Sequence, residues 1–89
     1  MTASPDAGLA LNNDLDSDSN EIEFNNTIVN KLSINSYMTL DNGIDIEIVQ
    51  VSEILSDIRV SVTRGEENTT PIAFSSATTN IWIAKSIYF

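Results

Sequence analysis

From Leu32 to Val62 apolar side chains recur at every second position, in three stretches separated by polar punctuation. Leu32, Ile34, Met38 and Leu40 form the first. Ile44, Ile46 and Ile48 form the second, with Asp45 and Glu47 between them. Ile58, Val60 and Val62 form the third, alternating with Arg59, Ser61 and Thr63. A period of two is the spacing of a strand with one face buried and one solvated; a helix would need 3.6. The chain is therefore constrained to an antiparallel sheet.

The turn between the first two stretches follows from their registers. A two-residue Asn42-Gly43 loop would set Leu40 opposite Asp45. A three-residue loop sets Leu40 opposite Ile44 and Met38 opposite Ile46, keeping one face apolar. That choice places Gly43 where a positive φ is needed. Carried onward, the same face pairs Val62 with Ile72 and Val60 with Phe74. The expectation is five strands, at about 31–40, 44–52, 57–64, 71–76 and 80–88, joined by short connections into an antiparallel meander. Val49 and Val51 break the alternation, which predicts a bulge near Gln50 or burial of both faces there. Ile54 and Leu55 are expected to cap the open end. A curled sheet of this size closes into a small barrel, of the SH3-like or OB-like kind, or into a small sandwich.

Composition bounds the folding unit. Residues 1–21 hold no aromatic, no β-branched aliphatic and no basic side chain. Such a stretch buries too little to offset the entropy of ordering it. It is expected to be a disordered or extended acidic arm, with the β domain at 22–89. Residues 20–30 fit a helical stripe, a strand or an arm. Their four asparagines speak against a helix interior, favouring an added strand or extended arm. A unit this small buries only roughly 60% of its unfolded surface. With no cysteine, no disulfide can staple it. Docking onto another body becomes the expectation.

Histidine is also absent, and net charge is −9. Six of the thirteen acids fall in the first 23 residues, so much of the acidity belongs to the N-terminal stretch. Four scattered bases are too few for a phosphate backbone or an anionic membrane, so neither nucleic acid nor membrane is an expected partner. No signal-peptide pattern and no long apolar run is visible, which predicts a cytoplasmic location, or one within an assembly formed there such as a virion. Two Asn-x-Thr sequons, at Asn25 and Asn68, are what a chain rich in both residues contains by chance.

Four groups of residues bear on function. Asn12, Asp14, Asp16 and Asp18, with Glu23 beyond, have the odd spacing of an EF-hand calcium loop. Ser17 stands where that loop needs glycine, so a solvated acidic tail is the expectation, with no metal and no cofactor. Asp45 and Glu47 project from one strand face as a carboxylate pair, but a domain this small has little room for a substrate cleft. They are expected to face solvent, with Arg59 in a cross-strand ion pair to one of them and Arg64 solvated at a loop tip. The segment Ile81 to Phe89 is apolar on both faces, so its second face is covered either by the N-terminal segment around Phe24 or by another subunit. Trp82, Ile83, Ile87, Tyr88 and Phe89 are the candidate partner interface, because tryptophan and tyrosine dominate interface hot spots.

The expectation for function is thus a non-catalytic protein-binding or structural module, a homo-oligomer or part of a larger assembly. Accessory or decoration proteins of virus particles share that architecture. The alternative is a small acidic inhibitor or nucleic-acid mimic that blocks a basic groove through Asp45, Glu47, Glu53 and Asp57.

Overall fold

The computed structural model describes residues 9–83. They form an all-β domain around one five-stranded antiparallel sheet that curls into a half-barrel. The strands are β1 (Glu21–Glu23), β2 (Tyr37–Asp41), β3 (Ile46–Ile54), β4 (Arg59–Glu66) and β5 (Asn80–Trp82). Their order across the sheet is β1-β4-β3-β2-β5. The β2–β3–β4 meander is the one expected. Its two flanks are not.

Residues 71–76 were expected to pair with β4, but they form no strand. The outer edge of β4 is taken by β1, which sets Ile22 opposite Val60. Phe74 instead makes a single bridge with Leu15, their backbone groups exchanging two hydrogen bonds of 2.8 Å. Pro71 lacks an N–H, and Ile72 N–H is spent on a side chain described below, so this stretch cannot continue a ladder.

The β2–β3 register also differs. Leu40 lies opposite Glu47 and Met38 opposite Val49, with Asp41 opposite Ile46. The connection is therefore four residues, not three. Gly43 does take the positive φ, +90°. Asn42 organises the loop: its Oδ1 accepts from Ile44 N at 2.9 Å and Asp45 N at 2.8 Å. Asp41 Oδ1 accepts from Gly43 N. These local side-chain bonds stabilise the longer loop, a competition that Asx residues often win in turns.

The longer loop turns β3 over. Glu47, Val49 and Val51 face the core, each essentially unexposed, whereas Ile44 is 88% exposed and Ile46 half-exposed. Ile48 faces away from the main core in a row with Thr39 and Trp82, its partners across β2 and β5. So both faces are buried along this part of β3. Two register shifts bend the β3–β4 pair. One sets Arg64 and Gly65 of β4 against Val49 alone; the other adds Ser52 to β3. The first is the irregularity expected near Gln50, with its extra residue on the partner strand.

The largest departure lies at residues 9–21. Leu9, Leu11 and Leu15 are each at most 5% exposed and belong to the same core as Ile22, Phe24, Val60 and Ile81. The stretch is a strap laid over the open side of the half-barrel. Asn12 N donates to Glu23 O at 2.9 Å and Asn25 N to Ala10 O at 3.0 Å, extending the sheet past β1. Leucine at 9, 11 and 15 supplies apolar area that the absence of aromatic and β-branched residues concealed. Ile54 and Leu55, expected to cap the open end, are about two-fifths exposed.

Candidate functional site

Two carboxylate–guanidinium clusters organise the polar chemistry. The first is inside. Arg64 continues the inward face of β4 after Val60 and Val62, and its side chain is 6% exposed. Glu47 lies opposite on β3 with a side chain wholly buried. Arg64 Nε donates to Glu47 Oε2 at 2.7 Å, and Nη2 donates to Oε1 at 2.8 Å. This is the side-on, two-pronged arrangement that fits guanidinium to carboxylate. The remaining donors are also used. Nη1 donates to the carbonyls of Asp16 at 2.7 Å and Ser19 at 2.6 Å, and Nη2 to that of Ile72 at 2.7 Å. All five N–H groups of the guanidinium have acceptors.

Glu47 is equally saturated. Besides the two bonds from Arg64, it accepts from Gly65 N at 2.9 Å and Ile72 N at 3.0 Å. Taking two charges out of water carries a desolvation cost of several kcal/mol per ion, offset only when every lone pair and proton is satisfied. Here they are: no buried side-chain nitrogen or oxygen among the described residues lacks a partner. The pair joins β3, β4, the strap and the segment at Ile72 through two side chains. Gly65 makes it possible, with φ +63° at the bulge that brings its N–H onto the carboxylate.

The second cluster is at the surface. Glu23 of β1 sits opposite Arg59 of β4, and the ion pair closes at 2.5 Å. Glu21 approaches the same guanidinium at 3.9 Å. Asn12 and Asn13 of the strap donate their side-chain amides to Glu23 Oε2. Hydrogen bonding from Arg59, then from Asn12, holds the Glu23 carboxyl below its ordinary value, and Glu23 in turn raises Arg59. A shallow depression of about 290 Å³ opens beside this cluster, between Leu11, Leu15 and Ile22.

The sequence-predicted residues fall apart in space. Glu47, read as part of an acidic surface, is in the core, because the four-residue loop faces it inward and Arg64 waits there. Asp45, Glu53 and Asp57 are exposed. Asp45 precedes β3 and Asp57 follows it, roughly 30 Å apart along a strand of nine residues. They form no single patch. Arg59 does take a cross-strand partner, but on β1. Arg64, expected in solvent, is buried. Trp82 is 7% exposed and Ile83 packs on the core, so a single chain already covers both. Ile87, Tyr88 and Phe89 lie outside the described residues.

The odd-spaced acids of the strap are engaged elsewhere. Glu23 is on Arg59, and Asp14 Oδ1 accepts from Ser76 N at 2.8 Å. Among the described residues no three acidic side chains converge as a cation would require. Among the described residues no helix is long and apolar enough to cross a membrane, which says nothing of strands.

Exposed apolar surface is unevenly placed. Of the seven large apolar side chains left exposed among the described residues, only Ile44 and Ile46 lie at the β2–β3 turn. Val29, Ile34, Ile54, Leu55 and Ile58 lie at the opposite end. The chain wraps round that end: Ile28 N donates to Asp57 O at 2.7 Å and Asn35 N to Val51 O at 2.8 Å. Comparison with known protein families, characterised proteins and solved structures finds no match for this chain. Fold and site define its class from within: a small all-β domain whose buried charges serve the fold and whose open surface is apolar at one end.

Proposed function

We propose that the protein is a non-catalytic binding or structural module that assembles with itself or with a larger complex. The observation that carries this reading is the gathering of five of the seven exposed large apolar side chains at one end of the domain. Apolar exposure gathered at one end of a small domain supports a surface that a partner covers. The polar groups best placed for chemistry, Glu47 and Arg64, are saturated by one another and by backbone, with no face open to a substrate. Work in the cytoplasm, or in an assembly formed there such as a virus particle with accessory proteins, suits such a module; that setting is an analogy of architecture.

The interface residues of this reading shift. Trp82 and Ile83 serve the fold, and the exposed end serves the partner. The rival reading, an acidic blocker of a basic groove, keeps the net charge of −9 in its favour. It loses Glu47 to the core, and Asp45 stands far from Asp57. Light scattering over a range of concentrations, repeated with candidate assemblies, tests the proposal. Growth in mass beyond 9.7 kDa supports it. A mass fixed at that value under every condition, with no complex formed, would reject it.

A further inference from the structure

The end of the half-barrel that carries Val29, Ile34, Ile54, Leu55 and Ile58 has a distinct electrostatic setting. Glu53, near the end of β3, and Asp57, in the turn that follows, stand exposed. Of the three cations among the described residues, Arg64 is buried on Glu47 and Arg59 is held by Glu23 and Glu21. Lys31, at this end, is half-buried. Glu53 and Asp57 are thus the exposed charges among residues 28–34 and 53–58, on a chain of net charge −9.

Two copies meeting here would set acidic rim against acidic rim, which like-charge repulsion opposes. A surface of opposite rim charge meets no such barrier and gains a faster encounter. We infer that this end of the barrel docks a partner protein whose apolar face is fringed by lysine or arginine, rather than a second copy of the chain. The inference rests on the binding-module reading and narrows it to one surface and one kind of partner. Burial of the five side chains supplies the attraction. Carboxylate–cation contacts at the rim supply orientation and selectivity, and weaken with salt.

The test uses two synthetic amphipathic helical peptides with the same leucine face, one bearing lysines on its flanks and the other glutamates. Amide resonances of the full chain are followed on titration. The lysine peptide should shift signals within residues 28–34 and 53–58, and bind at least about tenfold more tightly than the glutamate peptide. Val29→Ser with Ile34→Ser, both at exposed positions that should leave the fold intact, should weaken binding about tenfold, a measurable step. Ile44→Ser, at the opposite end, should change nothing. Equal binding of both peptides, or shifts centred on the strap acids, would overturn the assignment. So would a concentration-dependent dimer that Val29→Ser with Ile34→Ser abolishes, since that gives the surface to a second copy. In each of these cases the binding-module reading survives. If neither peptide binds and the chain stays a monomer with every candidate assembly, both fail.

Discussion

Two arginines of β4, five residues apart, have the same kind of partner and different surroundings. Arg64 meets Glu47 at 2.7 Å with both side chains out of water. Arg59 meets Glu23 at 2.5 Å with its own side chain 48% exposed. By distance the pairs are equivalent. By burial they are not, and burial decides what each does. In water the Arg59 pair competes with hydration and salt, so it adds little. In the core, the Arg64 pair has no alternative partner, so losing either member strands a charge. It also fixes the strap, because two of its five hydrogen bonds end on the carbonyls of Asp16 and Ser19. One pair holds the tertiary structure and the other trims its surface.

The largest expected effect is at the buried pair. Arg64→Met should cost about 3–5 kcal/mol, enough to unfold a domain of this size, because it leaves the buried Glu47 carboxylate without its counter-ion, held by two backbone N–H groups alone, and takes the guanidinium donors from three carbonyls. Arg64→Lys should rescue little, since an ammonium cannot reproduce the planar fork. Urea midpoints for the two variants measure this; a loss below about 1 kcal/mol for the methionine variant would mean the pair is dispensable.

Next comes the strap that the pair secures. Leu15→Ala should cost about 2–5 kcal/mol as a core truncation. Deleting residues 1–20 should lower the melting temperature sharply, the opposite of what a solvated arm would do. An unchanged melt for that deletion would return the strap to the status of an appendage.

Glycine sharpens the same contrast at smaller scale. Gly65 and Gly43 both have positive φ, at +63° and +90°. A Cβ on Gly65 would come within 2.9 Å of Pro71 Cδ and 3.1 Å of Thr69 O, whereas one on Gly43 meets open space. Both alanine variants should bear backbone strain, on the order of 1–3 kcal/mol. Gly65→Ala should be the costlier, since the clash is added and Gly65 N–H is pulled from Glu47. Equal denaturation midpoints for the two would sink the idea that the bulge is shaped around the carboxylate.

The smallest effect belongs to the exposed pair. Arg59→Gln should move the urea midpoint least of the series, and added salt should erase the difference. Its pH signature has a defined sign. The Glu23 carboxyl is held below its ordinary value of 4.5 in the folded state, by Arg59 first and Asn12 next. Its contribution is therefore complete above 4.5 and is lost as pH falls from there through the folded value. Glu23→Gln should flatten stability against pH in that acidic window and leave neutral pH nearly unchanged. A wild-type and variant pair with parallel acid titrations would show that the hydrogen bonds are not kept in solution.

The amino-acid sequence by itself determined the sheet. Period-two alternation specified strands near β2, β3 and β4 and their antiparallel meander, because side chains on a strand alternate whatever surrounds them. It also determined that Gly43 would turn left-handed, and that Val60 and Val62 would face the core. Tertiary structure decided which face of β3 is inside. Read alone, Ile44, Ile46 and Ile48 outvote Glu47, since a lone carboxylate costs too much to bury. Arg64, seventeen residues on, reverses that vote, and no local pattern announces a partner so distant. Only the fold could reveal the strap, for a related reason: Leu9, Leu11 and Leu15 are too sparse to order themselves. They gain burial from a half-barrel whose open side already exists, and Arg64 supplies donors to the strap carbonyls of Asp16 and Ser19 that would otherwise turn to water.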